Sequence, residues 1–325
     1  MAYPIEKKLV VAVSSRAVFD MEEANTVFDE EGAESYRKFQ LARLDQTFEK
    51  GVAFPFIRRL LRLNELYPKQ QPVEVVVLSR NSPDTGQRFF RSCQHYKLNI
   101  TRGAFLSGES PFPYIDAFNA SVFLSANQED VLGAIRIGQP AGLVLPTRAI
   151  DDDADHELRI AFDFDGVLAD DAAEKVYKES SLDLFHQHEV EQSETPHSPG
   201  PLKNLFTKIG FFQKLEATRA ASEPGYRPAL RVSIVTARNA PSNERVVTTL
   251  NAWGFNAAEL FLMGGIEKKR VLEVLKPHIF FDDQLTHLEP ASASVPSVFI
   301  PFGISNVDLL KNIPPGGEYS LNVKT

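Results

Sequence analysis

Short apolar runs separated by longer amphipathic stretches are the dominant pattern along this chain. Runs rich in valine, isoleucine and phenylalanine occur at residues 9–13, 158–162, 232–235 and 279–281. Runs of this length and composition are typical of strands buried on both faces of a parallel sheet, with helices in the stretches between them. The pattern therefore predicts an α/β chain with a doubly wound, Rossmann-type parallel sheet.

Two carboxylates stand directly after the run at 158–162. Asp163 and Asp165 are one residue apart and are followed by Gly166. Alternation along a strand turns both side chains to the same side, and at the carboxyl end of the strand both can reach one ligand. The spacing suits aspartyl-phosphate chemistry, in which one carboxylate attacks phosphorus and the other transfers protons.

Three later segments supply the other groups that this chemistry needs. Thr236 ends an apolar run, and its hydroxyl can hold a phosphoryl oxygen. Lys268 comes next, and Asp282 and Asp283 directly follow another apolar run, where they can hold a divalent cation. Each signal is weak alone. Their order, and the strands that precede them, favour one site at the carboxyl ends of a parallel sheet.

This set of motifs resembles that of the haloacid dehalogenase-like phosphohydrolase superfamily, over residues 158 to about 300. Longer phrases extend the likeness to nearly the whole chain, which is similar to the cytosolic 5′-nucleotidase I family. These phrases lie at residues 12–16, 51–56, 79–86 and 277–284. The resemblance implies a nucleoside 5′-monophosphate as the small-molecule substrate, with a nucleoside and phosphate as products.

The resemblance also implies a role for each site residue. Asp163 is the expected nucleophile, and Asp165 the expected acid and base. Four residues are expected to bind the transferred phosphoryl group: Thr236, Ala237, Arg238 and Lys268. Mg²⁺ is the expected cofactor, because it prefers oxygen ligands and offsets the repulsion between carboxylates and phosphate. Its expected ligands are Asp163, Asp165, Asp282 and Asp283. For Arg238, a surface ion pair is the alternative role.

The first half of the chain resembles a degenerate copy of the second half. The aligned pairs are Ser14 with Asp163, Arg16 with Asp165, Arg80 with Arg238, Phe112 with Lys268, Ala126 with Asp282 and Asn127 with Asp283. The alignment predicts a pseudo-catalytic α/β domain at residues 1–150 and a catalytic domain at 151–325. Chance similarity between two segments rich in strands and helices is the alternative.

A stretch at about residues 171–230 interrupts the doubly wound pattern and predicts a small cap inserted into the catalytic domain. Its histidines lack the spacing of a zinc site: His186, His188 and His197. Two aromatic residues of the cap, Phe185 and Phe206, either stack on a nucleobase or pack the cap against its own core. The sequence leaves open which cap residues contact the base.

Composition and charge limit the kinds of binding partner that the chain can have. The 325 residues are 43% hydrophobic, which is enough apolar material for two cores. The net charge of -8 argues against nucleic acid as a partner. A single cysteine, Cys93, excludes an internal disulfide and fits a reducing compartment. Because no apolar stretch approaches the length of a membrane span, we expect a cytoplasmic protein without a membrane partner. The sequence leaves a homo-oligomer open.

Two other functions remain open. A phosphatase that acts on another small phosphate ester would use the same set of acids. A non-enzymatic nucleotide-binding protein would hold its ligand in the first half, although the complete acid set in the second half disfavours this alternative. Dinucleotide cofactors and ATP-driven chemistry are disfavoured because the chain has neither a Gly-x-Gly-x-x-Gly motif after a strand nor a Walker-type loop.

Overall fold

The computed structural model describes residues 3–179, 182–255 and 259–311, and the chain divides into two compact units. Unit 1 spans Met1–Val144 and unit 2 spans Leu145–Thr325. The ranges predicted from the sequence, 1–150, 151–325 and the cap at about 171–230, include residues outside the described part, which are 1–2, 180–181, 256–258 and 312–325.

The described part of unit 1 alternates strands with helices. The strands are β1 (Leu9–Val13), β2 (Val73–Ser79), β3 (Arg102–Phe105), β4 (Val122–Ser125) and β5 (Ala141–Val144). The α-helices are α1 (Ser15–Val18), α2 (Glu22–Ala42), α3 (Phe54–Leu66), α4 (Pro83–His95) and α5 (Gln128–Arg136). Short 3-10 helices occupy Ile5–Lys7, Phe112–Tyr114 and Asp116–Phe118. Helix α2 is kinked at Gly32, where φ is 82°.

The strands of unit 1 are parallel and lie in the order β3-β2-β1-β4-β5. Every residue of β1 and β2 is buried, as expected for central strands covered on both faces. The chain adds strands on one side of β1 and then returns to add β4 on the other side. The carboxyl ends of β1 and β4 are therefore a switch point, where ligands bind in open α/β sheets.

The described part of unit 2 follows the same plan with longer insertions. The strands are β6 (Leu158–Phe162), β7 (Leu230–Thr236), β8 (Glu259–Leu262), β9 (Ile279–Asp282) and β10 (Ser297–Phe299). The helices are α6 (Ala172–Glu179), α7 (Leu182–Glu191), α8 (Lys203–Ser222), α9 (Asn243–Ala252), α10 (Lys268–Leu275), α11 (Leu285–Ser292) and α12 (Val307–Lys311). A 3-10 helix lies at Ile304–Asn306.

The strands of unit 2 are also parallel, in the order β10-β9-β6-β7-β8. Strand β6 occupies the same place as β1, since each has the next strand along the chain on one side and a later strand on the other. The prediction of an α/β chain with parallel strands is confirmed. The switch point of unit 2 lies at the carboxyl ends of β6 and β9.

Strand pairing corrects the alignment between the two halves. The N–H of Ser14 donates to the carbonyl of Leu124, and the N–H of Asp163 donates to that of Phe281. Leu124 therefore corresponds to Phe281. The structurally equivalent pairs are Ser14 with Asp163, Arg16 with Asp165, Ser79 with Thr236, Asn81 with Arg238, Ser125 with Asp282 and Ala126 with Asp283.

The predicted pairs of Arg80 with Arg238, Ala126 with Asp282 and Asn127 with Asp283 are thus wrong by one residue. Matching letters such as Arg-Asn set that alignment, whereas the hydrogen bonds between strands set the true register. The same register places Pro111, rather than the neighbouring Phe112, opposite Lys268.

In the described residues between β6 and β7, the chain forms three helices, α6 to α8. Helix α8 buries Leu205, Phe206, Ile209 and Phe212, an apolar stripe at helical spacing. The ring of Phe206 lies 5.6 Å from that of Phe162 and 4.0 Å from that of Phe255. Phe206 therefore packs in the core of unit 2, which is the second of the two roles predicted for it.

None of the helices in the described ranges combines the length and the hydropathy that crossing a bilayer requires.

Candidate active site

The carboxyl end of β6 brings Asp163 against a buried lysine. Lys268 is the first residue of α10 and is 2% exposed. Its Nζ lies 2.6 Å from Oδ2 of Asp163 and 2.7 Å from Oδ2 of Asp282, which ends β9. All three side chains are buried. The structure thus brings together three predicted site residues that are far apart in the sequence.

The pKa values of these groups reflect one ammonium shared by two carboxylates. Burial raises the pKa of Asp163 to about 7, and the charges of Asp282 and Asp165 add to the rise. Burial also disfavours ionised Asp282, but Lys268 and His287 outweigh this and lower its pKa. The two carboxylates similarly outweigh burial at Lys268 and raise its pKa. The lysine therefore stays charged at neutral pH.

Asp283 faces the same site with no partner for its carboxyl group. The residue is 1% exposed, and among the described residues neither carboxyl oxygen has a hydrogen-bond partner. Burial raises its pKa to about 10, with further contributions from Asp163, Asp282 and Glu174. A buried, unsatisfied carboxylate is costly to the folded state unless a cation or a proton compensates it.

The space beside Asp283 exists because residue 166 is glycine. Gly166 has a φ of 71°, in the left-handed region that glycine adopts freely. A Cβ at this position would lie 2.5 Å from Oδ2 of Asp283. A side chain at residue 166 would therefore displace Asp283 as well as strain the backbone.

The residues at this edge fit a divalent cation. The unpartnered oxygens of Asp283 are hard donors of the kind that Mg²⁺ prefers. One carboxylate oxygen each from Asp163 and Asp282 and one ring nitrogen of His287 also lie within 4.8 Å of one another. Sequence reasoning missed His287, although its position five residues after Asp282 places it near that acid at the start of α11.

Thr236 and Ala237 follow β7 at the same edge. Thr236 is 1% exposed, and its Oγ1 accepts a hydrogen bond from the N–H of Arg238 at 3.2 Å. Ala237 is exposed and has no polar side-chain atom. The turn after β7 is thus stabilised by the threonine hydroxyl, and Ala237 is exposed.

Arg238 forms a buried ion pair with Asp165. Its Nε and one terminal nitrogen each donate to an oxygen of Asp165 at 2.7 Å. The other terminal nitrogen donates to Glu189 of α7. The alternative role considered for Arg238 from the sequence, an ion pair, is therefore present, but it is not at the surface because Arg238 is only 5% exposed. In this structure the guanidinium holds the predicted acid and base.

Glu189 joins several cations around Arg238. Its carboxylate contacts Nε2 of His197 at 3.1 Å and accepts from Arg245 at 2.8 Å. Burial opposes ionisation of Glu189, yet the hydrogen bond from His197 and the charge of Arg238 outweigh it and lower its pKa. Glu189 is therefore ionised at neutral pH. Sequence reasoning missed it because a single sequence offers no local signal for this contact.

Two aromatic rings complete the surroundings of Arg238. The rings of Phe164 and Phe185 each lie 5.4 Å from the guanidinium carbon. Both residues are buried. Contacts of this kind favour a cation over the ring face. Phe185 is thus in contact with the cation that holds Asp165.

Comparison with known proteins gives a family likeness and similarity to curated proteins. A family model described as 5′-nucleotidase matches residues 1–307. The chain is 34% identical over 289 residues to cytosolic 5′-nucleotidase 1B from Homo sapiens. The alignment covers 87% of this chain and 47% of the relative, so the chain spans about half the length of that protein. No solved structure matches the chain significantly.

Proposed function

Because the chain belongs to the 5′-nucleotidase family, we propose that it is a Mg²⁺-dependent hydrolase of nucleoside 5′-monophosphates that yields a nucleoside and phosphate. The observation that carries the proposal is the buried contact of Lys268 with Asp163 and Asp282 at the carboxyl ends of the strands. That arrangement concentrates a nucleophile and a fixed positive charge where a phosphoryl group would bind.

Asp163 is the proposed nucleophile. One of its carboxylate oxygens forms a bond to phosphorus, and the bond from phosphorus to the 5′ oxygen breaks. Asp165 gives its proton to that oxygen as the nucleoside leaves. In the second half of the reaction, Asp165 accepts a proton from water as the water oxygen attacks the aspartyl phosphate. Phosphate is then released and Asp163 is restored.

Lys268 and Thr236 are proposed to bind the transferring group. The ammonium of Lys268 neutralises phosphoryl oxygens, and the hydroxyl of Thr236 and the backbone at Ala237 orient them. Positioning and charge compensation of this kind supply most of the catalysis in phosphoryl transfer. Arg238 was expected to bind phosphate too, but its bonds to Asp165 support a role in positioning that acid.

The proposed ligands of Mg²⁺ are Asp163, Asp282 and Asp283, together with residue 165. When bound, the cation supplies positive charge that reduces the repulsion between these carboxylates and the phosphate dianion. The unsatisfied oxygens of Asp283 support this assignment. The acidic residues would otherwise disfavour an anionic substrate.

The wider proposal covers the whole chain. Residues 1–150 are a degenerate, pseudo-catalytic domain, 151–325 are the catalytic domain, and about 171–230 form a cap. The corrected equivalences support the first of these, because serine or alanine replaces each acid except Asp165, which arginine replaces. The relative is named cytosolic, and a cytoplasmic location is proposed here on that likeness and on the single cysteine.

Phosphate release from a panel of substrates tests the proposal. Nucleoside 5′-monophosphates and sugar phosphates are compared in Mg²⁺ and in EDTA. Release that needs Mg²⁺ and is confined to nucleotides is the expected result. Equal turnover of sugar phosphates would replace the proposal with a general phosphatase. Nucleotide binding without release from any substrate, by a folded protein, would favour a non-enzymatic binding protein.

A further inference from the structure

Unit 1 has hydroxyl groups at the positions where unit 2 has its acids. At the switch point of its sheet, Ser14 follows β1 and Ser125 ends β4, and these are the equivalents of Asp163 and Asp282. Ser79 ends β2, as Thr236 ends β7. An ionised carboxylate only accepts hydrogen bonds, whereas a hydroxyl can also donate one. This edge of unit 1 can therefore donate where unit 2 can only accept.

The hydroxyls of Ser14 and Ser125 are buried at the switch point and act as hydrogen-bond acceptors. Oγ of Ser14 accepts from the N–H of Ala17 at 3.2 Å and from that of Ala126 at 3.3 Å. Oγ of Ser125 accepts from the N–H of Asn127 at 3.1 Å. Among the described residues, neither hydroxyl donates to a protein acceptor. The backbone uses both lone pairs of the Ser14 hydroxyl and one of the Ser125 hydroxyl, so each group can still donate its hydrogen.

A third hydroxyl and a buried amide lie beside them. Oγ of Ser79 accepts from the N–H of Asn81 at 3.1 Å and from the hydroxyl of Ser15 at 3.0 Å. Oδ1 of Asn81 accepts from the hydroxyl of Tyr36 at 2.9 Å. Within the described part of the chain, Nδ2 of Asn81 is buried without an acceptor. The end of β2 thus presents two further groups whose hydrogens have no protein acceptor.

Arg16 supplies positive charge at this edge. It stands two residues after Ser14, as Asp165 stands two residues after Asp163, so a cation replaces an acid. Burial raises the pKa of Tyr36 and the charge of Arg16 opposes the rise, which places Arg16 near Tyr36. The guanidinium contacts Glu22 at 3.7 Å, and these two side chains are 36% and 80% exposed. An exposed pair at this distance is weak.

The acids that follow β2 and β4 have arginine partners of their own. Asp84 pairs with Arg37 at 2.6 Å, while Asp130 and Glu129 share Arg80 at 2.7 Å and 3.2 Å. Two of the phrases that carry the family resemblance, residues 12–16 and 79–86, lie at the same edge. The hydroxyls, Arg16 and these two phrases of unit 1 thus all lie at the carboxyl ends of its strands.

We propose that unit 1 binds the phosphoryl group of a small molecule at the carboxyl ends of β1 and β4, without a metal ion. Arg16 supplies the charge, and the hydroxyls of Ser14 and Ser125 donate to phosphoryl oxygens, with Asn81 as a further donor. Because this edge has no carboxylate nucleophile, the bound group is not hydrolysed. The site is independent of the proposed activity of unit 2.

Binding of inorganic phosphate and AMP to the full chain in EDTA tests the proposal. Without a cation, the acids of unit 2 disfavour phosphate, so binding in EDTA reports on unit 1. One phosphate per chain is expected by isothermal titration calorimetry. Arg16→Gln is expected to weaken it about tenfold to a hundredfold, because a charge-assisted hydrogen bond is lost. Arg91→Gln, which removes an exposed arginine of α4, is the matched control.

A second pair of variants locates the bound anion. Ser14→Asp places a carboxylate at the switch point and is expected to abolish binding, while Ser14→Ala weakens it. Lys268→Met in unit 2 leaves binding in EDTA unchanged. Thermal unfolding of each variant establishes that it is folded. If Arg16→Gln does not fold, the loss of affinity in Ser14→Ala tests the proposal instead.

The two probes identify the recognised part of the ligand. Equal affinity for phosphate and AMP assigns recognition to the phosphoryl group alone, and tighter binding of AMP adds the nucleoside. Two results would overturn the proposal. One is the absence of binding of either probe at millimolar concentration in EDTA. The other is binding that Lys268→Met removes and that Arg16→Gln and Ser14→Asp leave intact.

Discussion

The carboxyl ends of the strands differ in charge between unit 1 and unit 2, although the backbone pairing around them is the same. In unit 2 the residues after β6 and at the end of β9 are acids that share Lys268. In unit 1 the equivalent residues are serines. Buried apolar strands and their hydrogen bonds determine the fold, so the residues just beyond the strand ends can change without altering it.

The same comparison shows that a hydroxyl at a strand end can have a structural role in both units. Ser79 and Thr236 each accept a hydrogen bond from the N–H two residues later, at 3.1 Å and 3.2 Å. That contact stabilises the turn after β2 or β7, whatever the neighbouring acids are. A hydroxyl at this position is therefore no sign of catalysis without the acids around it.

Replacing the nucleophile is expected to have the largest effect. Asp163→Asn should lower phosphate release by about 10⁴-fold or more, because no carboxylate remains to attack phosphorus. The matched change in unit 1 is Asp45→Asn, at an exposed carboxylate of which 93% is accessible, and it should leave release unchanged. Steady-state assays of both variants measure the difference. Comparable losses in the two variants would show that unit 2 is not the only catalytic part.

Removing the shared ammonium is expected to be the next largest effect. Lys268→Met should lower turnover about 10²–10³-fold, because a positive group at the reacting phosphoryl is lost. It should also lower the free energy of unfolding by about 3–5 kcal/mol, since two buried carboxylates lose their partner. Urea unfolding measures this, with Lys269→Met, at the partly exposed neighbouring lysine, as the control. An unchanged stability would contradict the buried contact.

Asp283 is expected to bind the cation but not to stabilise the fold when the cation is absent. Asp283→Asn should weaken Mg²⁺ binding at least about 10–100-fold, measured as loss of the thermal shift that Mg²⁺ produces. In EDTA the same variant should be no less stable than the wild type, because it removes a buried, unsatisfied carboxylate. A Mg²⁺ shift that persists in the variant would exclude Asp283 as a ligand.

The pH dependence of stability without metal sharpens this point. The pKa of Asp283 is about 10 in the folded chain, compared with a reference value of 3.8. The folded state therefore retains a proton that the unfolded state loses, so stability falls as the pH rises from about 5 to about 9. In EDTA, denaturant unfolding should show this fall in the wild type and a smaller fall in Asp283→Asn. Equal slopes would contradict the assignment.

Glu189 is expected to have the smallest effect on turnover. Glu189→Gln weakens the hold on Arg238, so Asp165 is less well oriented, and kcat should fall about tenfold with little change in KM. The exposed Glu191→Gln on the same helix is the control. Glu189→Asp, which keeps the charge, should recover part of the loss. A fall confined to stability, with kcat unchanged, would make Glu189 structural only.

The sequence predicted the family, and it predicted the strands at whose ends the site lies. Short, mainly apolar runs at 9–13, 158–162 and 279–281 coincide with parallel strands that are largely buried, as expected for strands covered on both faces. The acids directly after these runs, Asp163 and Asp282, were located for the same reason. The identification with the 5′-nucleotidase family is confirmed.

Features that depend on contacts between distant elements were not predictable. The predicted register between the halves was correct at β1 and β6 but one residue out after β2 and β4, because letter matches do not report which backbone groups pair. The contacts of Glu189 with Arg238 and Arg245 depend on how α7 packs against the turn after β7. His287 could have been found, since it lies five residues after Asp282, near the start of α11.

The glycine at residue 166 limits how this edge can be redesigned. A Cβ there would meet the carboxylate of Asp283 at 2.5 Å. Directed evolution can vary the acids of unit 2 or the serines of unit 1 one at a time. A substitution at residue 166 cannot be made alone, because Asp283 must move as well. A design that places these acids at the edge of another sheet must therefore also include a glycine at the position equivalent to residue 166, so that the acid has space.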